Sequence, residues 1–197
     1  MGLSFHHLDP VTRTWMLDER REDEATGRLY FSERFTALGR AEWPRLLRAA
    51  LATGDDDSLA ASLHEFGLLA RHEPRTRSSV RRHVRVPHTA AATYAESEFN
   101  SYYIRALCRR ACAAGVRELV VYRAKRVHAP RSESEARIGQ RINAAVLLAD
   151  LRAHRGYEAG ALGIPGGPNS GLSVHIPPEA LPLMLAFEAL QPRTGRR

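Results

Sequence analysis

The chain has 197 residues, of which 29 are Lys or Arg and 22 are Asp or Glu, so that its formal net charge is +7. With 44% hydrophobic and 26% charged residues, the composition is typical of a globular protein and excludes a disordered or fibrous chain. No apolar run approaches the ~18 residues that a membrane span needs, so we expect no membrane partner.

Two cysteines and the first ten residues bear on the compartment. Cys108 and Cys112 are too few for a secreted disulfide scaffold, and residues 1–10 lack the charged start and apolar stretch of a signal peptide. We therefore expect a protein of the reducing cytoplasm, with both thiols buried as small hydrophobic groups. Because no CxxC or HxxxH pattern adds further ligands, the sequence points to no metal site and to no cofactor.

The first third of the chain is predicted to be mainly helical. Asp9 followed by Pro10 is typical of a helix start, and this helix extends to about Thr26. A short strand is predicted at 28–31, and apolar residues at helical spacing predict a second helix over 41–52. The acidic residues 55–57 open a third helix, which Gly67 closes.

The segment 71–87 differs in character from the rest of the chain. Together with His88 it holds six arginines and three histidines but a single acid, Glu73. One interpretation is a solvated linker, and the other is a basic hairpin with its turn at 76–79, because residues 80–86 alternate in character. In an extended chain two faces result, with Val80, Arg82, Val84 and Val86 on one and Arg81, His83 and Arg85 on the other.

Residues 88–197 are predicted to form an α/β region. The longest helix is predicted over 88–114, where Glu98, Tyr102, Arg105 and Arg109 recur at helical spacing, so that charged and aromatic surface adjoin. A strand at 116–127 follows, then a helix over 132–151 in which Gly139 is a candidate interruption. A strand at 172–176 and a last helix beginning near Pro178 complete the region.

These elements predict an α+β fold. A mainly helical, acidic N-terminal third, 1–70, packs on an α/β C-terminal part with a small sheet and one long central helix. The basic hairpin or linker 71–87 connects the two.

Charge is distributed unevenly along the chain. Residues 1–70 carry 8 basic and 12 acidic groups, residues 71–131 carry 14 basic and 4 acidic groups, and residues 132–197 carry 7 basic and 6 acidic groups. Because arginine binds phosphate through paired hydrogen bonds, segment 71–131 predicts a nucleic-acid-binding protein that contacts the phosphate backbone of DNA or RNA. The candidate contact residues are Arg75, Arg77, Arg81, Arg82, His83, Arg85, Arg105, Arg109, Arg123, Lys125 and Arg126.

Two alternatives remain open from the sequence. The acidic third of one copy could pair with the basic middle of the next, as in a structural or assembly subunit of a phage-like or other multi-subunit particle. A metal-dependent nuclease is the second, because Lys125, the only lysine, ends a predicted strand. That alternative requires the fold to bring Glu96, Glu98 or Glu118 close to it.

Two further patterns carry little chemistry. The Gly- and Pro-rich residues 156–171 lack the Gly-Lys-Ser/Thr ending of a phosphate-binding loop and are predicted to form a surface turn. The nine histidines are scattered, and no serine has a G-x-S-x-G context. The sequence therefore neither indicates nor excludes an enzyme.

Overall fold

The computed structural model describes residues 2–77, 80–154, 156, 160–167 and 170–190, and at 75–77, 80 and 81 it describes the backbone only. The helices in this part of the chain are α1 (Pro10–Ala25), α2 (Ala37–Thr53), α3 (Asp56–Glu65), α4 (Ala90–Ala113), α5 (Ser132–Glu135), α6 (Ala144–Ala153) and α7 (Leu181–Leu190). The strands are β1 (His72–Arg77), β2 (Val80–Arg85), β3 (Glu118–Arg123), β4 (Arg141–Asn143) and β5 (Leu172–His175).

Local side-chain caps explain where the N-terminal helices begin. Before α1, the Asp9 carboxylate accepts the Thr12 N–H at 2.8 Å, and Pro10 occupies the first helical turn. Before α3, the Asp55 side chain accepts the Ser58 N–H while the Ser58 hydroxyl accepts the Asp55 N–H, each at 2.8 Å. These caps satisfy backbone donors that a helix start leaves free, and the sequence predicted both starts.

The strand predicted at 28–31 is wrong, because these residues form irregular chain. Two side chains hydrogen-bond to the backbone here: the Trp43 indole N–H donates to the Tyr30 carbonyl at 3.0 Å, and the Tyr94 hydroxyl donates to the same oxygen at 3.2 Å.

Both cysteine thiols were expected to be buried. The structure confirms this for Cys108, whereas Cys112 is exposed.

Two antiparallel sheets form in the described residues. β1 and β2 make a two-stranded ribbon, and β3 lies between β4 and β5 in a three-stranded sheet. On β3, Leu119 and Val121 are buried whereas Val120 between them is half-buried, as the two-residue period of a strand requires.

The helix predicted over 132–151 is divided into α5, the short strand β4 and α6. The break falls at Gly139, whose φ of 81° is accessible to glycine at little strain and whose N–H donates to the Val121 carbonyl at 2.8 Å. Asn143 then caps α6 by accepting the Val146 N–H at 3.0 Å. The hydrogen bond to β3 and the new helix cap at Asn143 therefore prevent one continuous helix over 132–151.

Helix α4 is the centre of the fold. α1, α3 and α6 pack against it, and so does β5, and a continuous core runs from Met16 on α1 to Met184 on α7. The predicted α+β class with a long central helix is therefore confirmed, and the N-terminal third packs on the C-terminal part as expected. Of the helices in the described ranges, none has the length and apolar character that crossing a membrane requires.

Candidate functional site

The basic ribbon, defined here as β1 and β2, carries exposed cationic side chains. Arg82, His83 and Arg85 are exposed, whereas Val84 is half-buried. The ladder pairs Arg85 with His72, His83 with Pro74 and Arg82 with Arg75. Of the other predicted contact residues, Arg75, Arg77 and Arg81 lie on the ribbon backbone, and their side chains fall outside the described structure. The turn was predicted at 76–79, but residues 76 and 77 belong to β1, and residues 78–79 lie outside the described structure.

The one acid of the ribbon is neutralised from within the chain. Arg34 donates to both carboxylate oxygens of Glu73, from Nε at 2.6 Å and from a terminal nitrogen at 3.0 Å. At the root of the ribbon, the Val86 N–H donates to the Arg71 carbonyl at 2.9 Å. The exposed arginines of the ribbon therefore have no uncompensated carboxylate beside them on its strands.

A cleft lies at the base of the ribbon, with a volume of about 610 Å³. Its buried and half-buried lining is apolar and comes from Leu63, Leu69, Val86 and Ala91. Its exposed lining is basic and comes from His64, Arg71, His72, Arg85 and His88. The cleft therefore brings Arg71 and three histidines next to Arg85 at the base of the ribbon.

Arg105 and Arg109, two further predicted contact residues, lie in an ionic cluster with α1. Arg105 is only 5% exposed and donates to Glu19 at 2.7 Å and to both Asp23 oxygens at 2.6 and 3.1 Å. Arg109 donates to Glu19 at 3.1 Å, and its guanidinium carbon lies 4.7 Å from the centre of the Trp15 ring. These cations are therefore engaged by carboxylates of the same chain.

Arg123 at the end of β3 and the two basic residues that follow it, Lys125 and Arg126, have different surroundings. Arg123 donates to Glu135 at 2.6 Å and to the Ser170 carbonyl at 2.8 Å, and Lys125 pairs with Glu96. Arg126 is exposed and makes no ion pair with a described residue.

Of the acids named in the nuclease hypothesis, Glu96 does lie beside Lys125, and Glu98 lines the same cleft as Glu96. Glu96 holds the Lys125 ammonium, whereas Glu118 lies 3.6 Å from Arg141. Within the ranges that the structure describes, no three His, Cys, Asp or Glu side chains are grouped so as to hold a metal ion.

A second cleft, the α4–loop cleft, lies between α4 and the described loop residues 160–167 and 170–171 and has a volume of about 80 Å³. The polar side chains of α4 that line it are Thr93, Glu96, Ser97, Glu98, Asn100, Ser101, Tyr102 and Arg105, and Asp23 and Arg28 line it near the end of α1. Glycines 160, 166, 167 and 171 and the buried Ile164 supply the loop side. The predicted surface turn is thus, in its described part, a wall of a cleft.

Backbone contacts hold this loop wall in place. The Asp150 carboxylate accepts the N–H groups of Ala161 and Leu162 at 2.9 and 3.1 Å. A Cβ at position 160 would lie 2.4 Å from an Asp150 oxygen, so this close approach requires glycine. On the other side of the loop, Asn100 donates to the Leu172 carbonyl at 2.8 Å and accepts the Ser173 hydroxyl at 2.8 Å, which joins the wall to α4.

Glu98 has the most unusual environment among the lining groups. It is 5% exposed, and no described residue donates a hydrogen bond to its carboxyl group. Burial raises its pKa to about 8, although the nearby Arg105 cation lowers it in part. Glu98 is therefore mainly protonated at neutral pH.

Glu19 shows the opposite behaviour in the same part of the molecule. Burial alone would raise its pKa, but hydrogen bonds and charge from Arg152 and Arg105 outweigh burial, so the pKa lies below its usual value. Glu19 is therefore the ionised centre of the cluster with Arg105, Arg109 and Arg152.

The helical spacing of Glu98, Tyr102, Arg105 and Arg109 did indicate that these residues share one face of α4. Sequence reasoning missed that α1 covers this face, with Tyr102 donating to Asp23 at 2.9 Å. The available signal was the acidic composition of α1, whose Glu19 and Asp23 recur four residues apart. Nothing in the sequence indicated that Arg34 pairs with Glu73 or that a cleft lies beside Glu98.

Comparison with known protein families, with curated proteins and with solved structures yields no match to this chain.

Proposed function

We propose that this protein binds nucleic acid through the basic ribbon, by contact with the phosphate backbone more than by base readout. The observation that carries the proposal is the charge of the ribbon: Arg82, His83 and Arg85 are exposed, and its single acid is neutralised by Arg34. A positive surface without nearby carboxylates attracts polyanions, and the release of counterions from the phosphates favours binding.

The shape of the ribbon supports the same function. A two-stranded ribbon fits the major groove of B-form DNA, which is about 12 Å wide and has phosphates along both edges. The ladder register places Arg85 on one face of the ribbon and Arg82 on the other.

The test is fluorescence anisotropy of the full chain with labelled duplexes of unrelated sequence over a range of salt concentrations. In the double variant Arg82→Ala, Arg85→Ala we expect weaker binding to all sequences alike. Because each phosphate contact contributes about one unit to the slope of log K against log salt, that slope should become shallower by about two units.

The matched control removes two exposed arginines from α2, Arg40→Ala with Arg48→Ala, and so makes the same change in net charge. We expect its affinity and its salt slope to stay close to those of the unchanged chain. Equal losses in the two double variants would contradict the proposal, because they would show a response to net charge alone. Absence of binding at low salt would also overturn it.

A further inference from the structure

We propose that the α4–loop cleft binds a small cationic group, a guanidinium or alkylammonium, through the carboxylate of Glu98. The site is separate from the basic ribbon and needs no nucleic acid, so the two proposals can fail independently. Glu98 lines this cleft, and no described residue donates a hydrogen bond to its carboxyl group.

The other charged groups of the lining already have partners. Asp23 accepts hydrogen bonds from Arg105 and from the Tyr102 hydroxyl. Glu96 pairs with Lys125, and Arg105 is shared between Asp23 and Glu19. Within the described residues, Glu98 is the buried carboxyl without a hydrogen-bond donor, so a ligand that supplies N–H groups completes its environment.

The chemistry of a buried carboxyl favours a cation over a neutral ligand. A carboxyl group in a poorly solvated site is neutral when alone and ionises when a positive partner enters, because charge-assisted hydrogen bonds are stronger than neutral ones. The hydroxyls of Thr93, Ser97 and Ser101 also line the cleft and can accept further N–H groups.

The size of the cleft limits the ligand group. A cavity of about 150 Å³ admits benzene with its six carbons, so the 80 Å³ here fits a group of roughly three heavy atoms. Guanidinium, with one carbon and three nitrogens, is close to this size and presents planar N–H donors to a carboxylate. The rest of a longer ligand would extend toward solvent.

The first test is an NMR titration of the full chain with methylguanidinium chloride, with N-methylurea as the neutral compound of matching shape. We expect saturable shifts of the Ile164 and Leu151 methyl signals with methylguanidinium, at an affinity on the order of 1 mM for so small a ligand, and no saturable shift with N-methylurea. Equal binding of the two compounds would overturn the cationic assignment.

The variant Glu98→Gln should weaken methylguanidinium binding at least about tenfold, because the amide cannot ionise. The control Glu65→Gln makes the same chemical change at an exposed position of α3 and should leave the affinity unchanged. Unchanged backbone spectra would show that both variants are folded. Retention of full affinity in Glu98→Gln would contradict the proposal.

Proton release supplies a readout that a purely structural Glu98 would not give. Since Glu98 is protonated in the free protein at pH 7 and ionised in the complex, binding should release about one proton. Calorimetry in two buffers of different ionisation enthalpy measures this number. A heat of binding that does not depend on the buffer would overturn the role of Glu98.

Discussion

Glu19 and Glu98 are both buried close to Arg105, yet they ionise in opposite ways. Glu19 accepts hydrogen bonds from three guanidinium groups, Arg105, Arg109 and Arg152, and is charged. Glu98 receives no hydrogen bond from a described residue and is neutral. Burial disfavours charge at both positions, so the number of donors decides which carboxyl ionises.

The pH dependence of stability should expose this difference. The pKa of Glu98 is raised to about 8 in the folded protein, so its favourable contribution is complete below its unfolded pKa and is lost as the pH rises toward 8. Because Gln does not titrate, Glu98→Gln should gain stability relative to the unchanged chain by about 3 kcal/mol between about pH 5 and pH 7.5.

Chemical denaturation of both proteins at several pH values measures that difference. The exposed Glu65→Gln variant should follow the unchanged chain throughout the range. A constant difference between Glu98→Gln and the unchanged chain would show that Glu98 ionises normally in the folded protein.

Arg105 is the residue whose loss should destabilise the ionic cluster most. Arg105→Ala removes two of the hydrogen bonds to Asp23 and one donor from Glu19, and uncompensated buried charge should lower the free energy of unfolding by about 3–5 kcal/mol. Arg105→Lys should recover only part of this loss, because an ammonium cannot reproduce the paired bonds to Asp23.

Urea denaturation measures the losses in these variants. The control is Arg40→Ala on the exposed face of α2, which should change the free energy of unfolding by less than about 0.5 kcal/mol. If Arg105→Ala were as mild as the control, the cluster would not stabilise the fold.

At the scale of the elements, the basic ribbon is attached to the body at its root. The Arg34–Glu73 pair and the bond from Val86 to Arg71 lie there, and the side chains described on its strands are exposed or half-buried. An isolated two-stranded hairpin is marginally stable in water, so these root contacts position the ribbon.

Replacing residues 74–83 with a short Gly-Ser linker should therefore leave the fold intact and abolish nucleic-acid binding. The hydrophobic core contains no residue of the described ribbon strands, so we expect the melting temperature to change by no more than about 4 °C. Circular dichroism and the anisotropy assay measure the two outcomes. A global loss of helical signal would show that the ribbon is part of the folding unit.

Element prediction succeeded where local chemistry decides the structure. Asp9 caps a helix as expected, a helix begins at the acidic run 55–57, and the alternating segment around Val84 forms a strand. Prediction was wrong at 28–31, because Trp43 and Tyr94 bind the Tyr30 carbonyl from distant positions in the sequence. No local pattern reports such contacts.

At the scale of the whole molecule, the acidic first third faces basic residues of the same chain. Glu19 and Asp23 meet Arg105 across 86 and 82 residues, and Asp9 meets Arg110 across 101. The sequence predicted that charge is unevenly distributed along the chain. It did not predict that these acids pair with arginines of the same chain, because contacts between residues so far apart in sequence leave no local signal. Three of the twelve acids of the first third, Asp9, Glu19 and Asp23, therefore pair with arginines of α4, whereas Arg82 and Arg85 of the ribbon are exposed.

The contacts of α4 also bear on how the chain folds. Its partners lie far away in both directions: Arg110 binds Asp9 on one side and Glu188 on the other, and Asn100 binds the backbone at Leu172. Chain entropy opposes the closure of such long loops until the packed core compensates for it, and folds dominated by distant contacts form slowly. The full set of partners of the central helix therefore requires segments from both ends of the chain to reach it.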